Sequence, residues 1–127
     1  MSLYLDASAI TKLVVDEPQS GALERLVVGK ALATSRVAVV EVTKAVARAD
    51  PGADAWGVLS RLAFVELDAD LARLAGATGA PSLRALDAVH VASALRLVPE
   101  VEAFVTYDGR QADAARAAGF DVVAPTP

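Results

Sequence analysis

The sequence predicts an α/β domain: a parallel sheet covered by helices on both faces, in three α/β/α layers. Three observations predict it. Short apolar runs suited to strands alternate with segments of helical periodicity, and such alternation implies a parallel sheet with helices on either side. The chain has 127 residues, the length of a single domain spanning 1–127. It is 54% apolar and 22% charged, a composition that supports a real core.

The elements follow in order. "SLYLD" is an apolar run ending in an acid, and reads as a buried strand that turns into a helix at "ASAITKLVV". Pro18 fits the first turn of a second helix, "PQSGALERLVVG", closed by Gly29. "ALATS" is a second strand. "RVAVVEVTKAVARA" has helical periodicity and stops at the breaker cluster Asp50-Pro51-Gly52. "ADAWGVLSRL" reads as a short helix, "AFVELD" as a third strand, and "ADLARLAGATG" as a helix stopped by Gly79. "LRALDAVHVASAL" is apolar on every side, which marks a buried helix. "VEAFVTYD" is a fourth strand, "GRQADAARAAG" a helix and "FDVVAP" a last strand.

Composition narrows the classes. There is no cysteine, so disulfides and thiolate metal sites are excluded. No stretch approaches the roughly 20 apolar residues of a membrane span. The N-terminus lacks the charged start and apolar core of a signal peptide. A cytoplasmic protein with no membrane partner is expected. A net charge of −4 and a pI near 4.9 argue against broad, non-specific nucleic-acid binding. They leave room for a local basic groove, and for acids gathered in one site.

Ligands of open α/β sheets bind outside the carboxyl ends of the strands, where strand order reverses. Asp6 ends the first strand and Asp108 the fourth. Asp87 lies in the first turn of the buried helix, and Glu41 in the first turns of the helix after the second strand. Each acid also has a structural reading. Asp6 and Asp87 can cap their helices, Asp108-Gly109 can be a plain turn, and Glu41 shares a stripe with Lys44 and Arg48 that favours a solvated ion pair. Only the coincidence of all four positions points to a site.

Those residues carry a resemblance. "YLDASAITKL", "ATSRVAVVEVTKAV", "LRALDAVHVASAL" and "FVTYDGRQADAARAAGFDVV" resemble, in order and spacing, the PIN-domain family and within it the VapC-type toxin ribonucleases of toxin–antitoxin pairs. The resemblance covers nearly the whole chain. It implies strand order 3-2-1-4-5 and magnesium- or manganese-dependent RNA cleavage by clustered acids. Carried over by position, Asp6, Glu41, Asp87 and Asp108 match the family's acids. Ser8 matches a hydroxyl supporting the first acid, and Thr106 a frequent hydroxyl residue just before the fourth. Ala7, where Thr is commoner, and Gly109, where a larger residue is common, depart from the pattern. The resemblance further implies an RNA substrate, a homodimer and a cognate VapB-like antitoxin.

Acids without Cys or His ligands suit Mg²⁺ or Mn²⁺ and not zinc. Asp6 and Asp87 are the expected direct ligands, with Glu41 and Asp108 acting through water or on a second ion. Lys44, Arg48 and Arg84 are candidate RNA contacts, whereas Lys12 and Arg110 read as solubilising charges. His90 reads as a satisfied core histidine or a supporting residue, not a general base. Trp56 reads as a cover for the core or an interface. Val14, Leu23, Leu26 and Val27 read as core or as a groove for an antitoxin helix.

Two other classes compete. One is a PIN-like module that holds RNA or protein without cutting. The other is a different Mg²⁺-dependent phosphoryl hydrolase or a phosphorelay receiver. A phosphatase forming an aspartyl-phosphate would want an Asp at position 8, where Ser8 stands. A receiver would use Asp68 with a later lysine, and no lysine follows Lys44.

Overall fold

The computed structural model describes residues 1–127. Five parallel strands form one sheet in the order β3-β2-β1-β4-β5: β1 (Ser2–Leu5), β2 (Ala31–Ser35), β3 (Ala63–Val65), β4 (Val101–Val105) and β5 (Val122–Val123). Seven helices surround it: α1 (Ala7–Val14), α2 (Ser20–Val27), α3 (Val37–Ala49), α4 (Trp56–Leu59), α5 (Ala69–Gly76), α6 (Ala85–Arg96) and α7 (Gly109–Ala117).

Side-chain alternation along the central strands sorts the two cores. Leu3 and Leu5 of β1, with Ala103 and Val105 of β4, pack against Ile10, Leu23, Val42, Val46 and Leu59. Tyr4 and Phe104 point the other way, into a layer with Ala33, Ala94 and Ala115. Val65, Leu71, Ala75, Val89 and Ala92 extend that second layer between α5 and α6. Leu23 is thus core, with Val14, Leu26 and Val27 packed partly buried around it. Trp56 remains half exposed.

The chain runs β1, β2, β3 outward on one side, then returns to place β4 against the other side of β1. Strand order therefore reverses between β1 and β4, where open sheets place their ligands. Asp6 follows the first of these strands, and Thr106 to Asp108 follow the second.

Every element expected from the sequence is present; β2 spans the expected residues, and the other four strands are shorter than expected. β1 stops before Asp6, β3 before Glu66 and β4 before Thr106. The last acid of each expected run has another role. Asp6, Asp68 and Asp108 each leave extended backbone and bond amide groups of the following helix, at Ala9, Leu71 and both Arg110 and Gln111. The acid that looks like a strand's last residue is the next helix's N-cap. α2 begins at Ser20, two residues beyond Pro18. Gly29, Gly79 and Gly119 have φ values of 72°, 74° and 100°, a left-handed turn after a helix that glycine adopts without steric cost.

Candidate active site

Asp6 is the most deeply held of the acids, only 5% exposed. Its Oδ1 accepts from Ser8 Oγ at 2.6 Å and from Ala9 N at 3.1 Å. Its Oδ2 accepts from Thr106 Oγ1 at 2.5 Å. Thr106 Oγ1 in turn accepts from Asp108 N at 3.1 Å, and Ser8 Oγ accepts from Tyr107 N at 2.9 Å. Two hydroxyls thereby tie the loop after β1 to the loop after β4. A carboxylate has about four acceptor positions, so Asp6 keeps one free. Burial raises its pKa above the ordinary carboxylate range, against the opposing pull of Ser8 and Thr106.

Asp87 differs. The N-cap position of α6 belongs to Arg84, which makes no side-chain cap bond. Asp87 stands two residues inside the helix, half-buried, and its carboxylate is in none of the chain's hydrogen bonds or ion pairs. The capping reading of Asp87 therefore fails. Its pKa is raised, first by burial and then by the charge of Asp108, with a smaller contribution from Asp6; His90 and Arg84 oppose. Seven consecutive residues of α6, Ala88 to Ala94, are buried. This is the all-round burial read from the sequence, and it carries an unpaired acid at its start.

Asp108 caps α7 through Oδ1 alone, at 2.9 Å from Arg110 N and 3.3 Å from Gln111 N. Glu41 does not pair with Lys44, as its helical stripe suggested. Its Oε1 lies 2.7 Å from His90 Nε2, and the other ring nitrogen of His90 lies 2.9 Å from the Tyr4 hydroxyl. A carboxylate only accepts, so Nε2 donates to Glu41; in the neutral ring Nδ1 then accepts the Tyr4 proton. Tyr4 is fully buried, and burial pushes its pKa well above that of a free phenol. The phenol therefore holds its proton and can serve as the donor.

Asp6 and Asp108 thus both act electrostatically on Asp87, and His90 joins Glu41 to the same layer. Lys44 and Arg48 are exposed on α3, about 5 and 10 Å along the axis from Glu41 by helix rise. Lys12 is engaged, with Glu17 Oε1 at 3.4 Å and the Tyr107 ring centroid at 5.0 Å. Asp68, the residue a receiver would phosphorylate, caps α5 and accepts from Arg96 Nη1 and Nη2, each at 3.1 Å. Its two oxygens are committed to structure.

His90 is buried and bonded at both ring nitrogens, the satisfied histidine read from the sequence, but its partners were not foreseen, nor was Gln111. The links from His90 to Glu41 and Tyr4 had one visible signal: His90 falls three residues after Asp87, on the same side of a helix. Gln111 had none. It is 1% exposed in the first turn of α7, with neither side-chain amide atom bonded within the protein.

The PIN-domain family model matches residues 3–117. The chain is 39% identical to ribonuclease VapC46 of Mycobacterium tuberculosis over 98% of both chains. It is 37% identical to ribonuclease VapC47 of the same species, over 97% of this chain and 96% of that one. The crystal structure of M. tuberculosis VapC20, a Sarcin-Ricin loop cleaving toxin, superposes with a TM-score of 0.68. That match covers 99% of this chain and all of the other, at 20% identity, a likeness of fold. On the extent of the family match and the full-length identity to VapC ribonucleases, this chain belongs to the PIN-domain family, in its VapC group.

Proposed function

We propose that this protein is a divalent-metal-dependent endoribonuclease toxin that hydrolyses RNA phosphodiester bonds and is neutralised by a VapB-like antitoxin. The observation that carries the reading is the unpaired carboxylate of Asp87. It sits at the start of a buried helix, in the field of Asp108 and Asp6, inside a chain 39% identical to a VapC ribonuclease. Raised carboxyl pKa values in a crevice at the strand-order switch mark a site that favours a positive charge.

The donors are all oxygens, which fits Mg²⁺ or Mn²⁺. No three acidic or histidine side chains close around a single point. Mg²⁺ needs no such cage, since it keeps several waters and takes one or two carboxylates plus substrate phosphate. Asp6 and Asp87 would be those carboxylates, with Glu41 and Asp108 acting through water or on a second ion. When bound, the ion lowers the pKa of an attacking water and neutralises charge on the scissile phosphate.

The protein's own residues prepare for this. Ser8 and Thr106 fix the Asp6 carboxylate, and the capping bonds orient Asp108. His90 fixes Glu41. Arg84, beside Asp87, offers a cation to the RNA backbone, and Lys44 and Arg48 offer two more along α3. The protein would act as a homodimer in the cytoplasm, a placement its cysteine-free sequence fits. No helix is long and apolar enough to cross a membrane.

Incubating the purified protein with total RNA, in Mg²⁺ and in EDTA, tests the reading. Cleavage with Mg²⁺ and none with EDTA is expected. RNA binding without cleavage in either condition would replace the enzyme with a non-catalytic RNA-binding module.

A further inference from the structure

The loop between α5 and α6 and one side of α7 enclose a cleft of about 550 Å³, lined among others by Thr78, Ser82, Leu83, Arg84, Arg110 and Ala114. Its size falls in the range of small-ligand sites, roughly 300–1,000 Å³. None of the four acids lines it, but two of its lining residues adjoin them in the chain: Arg84 is three residues before Asp87 and Arg110 two after Asp108.

Two features of the cleft point to its occupant. The chain's six ion pairs use Lys12, Lys30, Arg36, His90, Arg96 and Arg116 as their cations. Arg84 and Arg110 are in none of them, so two unpaired guanidinium groups share one cleft. Asp113 also lines it, with its carboxylate 3.6 Å from Arg116. The remaining wall is apolar, formed by Leu83, Ala114, Ala117 and Ala118. The alanine side chains are too short to fill the space themselves.

We propose that this cleft seats one nucleotide of a single-stranded RNA next to the bond that is cut, its phosphate between Arg84 and Arg110 and its base on the alanine wall. The proposal rests on the ribonuclease reading above. Guanidinium groups bind phosphate oxygens through paired, charge-assisted bonds. A protein of net charge −4 that gathers acids at its site needs such a cation pair to bring a polyanion near them. Arg110, which the sequence suggested was only solubilising, becomes a substrate contact.

The test uses the full chain and a short fluorescein-labelled single-stranded RNA. Cleavage of this RNA by wild type with Mn²⁺ checks the ribonuclease reading separately. Binding is read by anisotropy in EDTA at several salt concentrations. The double variant Arg84→Gln/Arg110→Gln should bind about tenfold more weakly for the loss of charge-assisted bonds. Its slope of log affinity against log salt should flatten by about 0.7, one phosphate's share on a single strand. Ala117→Leu, at an exposed helical position, should fill the wall and weaken binding several-fold with the slope unchanged. In both variants KM should rise while kcat holds.

If wild type cuts the RNA and both variants bind and cut it equally well, the cleft assignment is overturned. Variants that cut normally but no longer hold the antitoxin would give the cleft to the antitoxin and also overturn it. If wild type binds through Arg84 and Arg110 but never cuts, the seating of a nucleotide between the two arginines stands, while the ribonuclease reading, and with it the cleft's place beside a cut bond, is overturned.

Discussion

His90 Nε2 lies 2.7 Å from Glu41 Oε1, and its Nδ1 lies 2.9 Å from the Tyr4 hydroxyl. One buried ring thus connects an acid on α3 to the central strand through α6, fixing which nitrogen faces the carboxylate. Partners of this kind typically cost about 10–100-fold in metal affinity or activity when removed. A glutamine places its amide nitrogen near the position of Nε2, and an asparagine places its polar atoms near Nδ1. His90→Gln should therefore keep most RNA cleavage, while His90→Asn should lose about 10–100-fold. Equal cleavage by both, at matched stability, would show that the bond to Glu41 does not matter to the reaction.

Asp87 is the acid with no bond to lose. Asp87→Asn should abolish metal-dependent cleavage, and so should Asp6→Asn. Neither should melt lower than wild type without metal, since one removes a charge that burial penalises and the other a charge in the field of Asp108. An ion that binds only the folded state adds about 2.7 kcal/mol at a hundredfold excess over its dissociation constant. Wild type should show that gain in Mn²⁺ by thermal melting, and Asp87→Asn should lose most of it. An equal gain in both proteins would remove Asp87 from the ligand set.

The acids show what the sequence carried and what it hid. Alternating apolar runs were enough for the sheet and its helices, because parallel strands buried on both faces read as short continuous apolar segments. The ends of those strands were not legible. An aspartate after an apolar run looks the same whether it extends the strand or caps the next helix, and Asp6, Asp68 and Asp108 all cap. Helical periodicity placed Glu41 with Lys44, its neighbour on the same stripe, because it sees only one helix at a time. The partner Glu41 has instead, His90, is 49 residues away on another helix.

Gln111 is buried with both amide atoms unbonded to protein. A buried polar group left without partners costs about 1–3 kcal/mol, and an apolar replacement of similar shape relieves it. Gln111→Met keeps the length of the side chain, and the backbone cap from Asp108 is untouched. Urea denaturation should show a gain of about 1–3 kcal/mol. A loss of stability would mean that the amide is bonded to ordered water, which methionine displaces.

The raised pKa of Asp6 fixes the sign of a pH dependence. Burial is its largest cause, outweighing the bonds from Ser8 and Thr106. A carboxyl whose folded pKa exceeds its unfolded value, about 3.9, binds its proton more tightly in the folded state. The stability this adds is fully present below the unfolded value and is lost as pH rises through the raised folded value. Asp87 shifts in the same direction, by burial and by the charge of Asp108. Glu66 and Asp68 shift the opposite way, held down by Arg36 and Arg96, so the raw stability curve of wild type mixes both signs. The difference between wild type and Asp6→Asn isolates the acid at the site. In EDTA, urea denaturation across the mildly acidic to neutral range should show wild type losing ground to Asp6→Asn as pH rises. Saturating Mn²⁺ should restore wild type at neutral pH and leave the variant behind. Parallel pH curves for the two proteins in EDTA would mean that the folded Asp6 carboxyl is not strained, and the case for a cation at that position would lose its electrostatic basis.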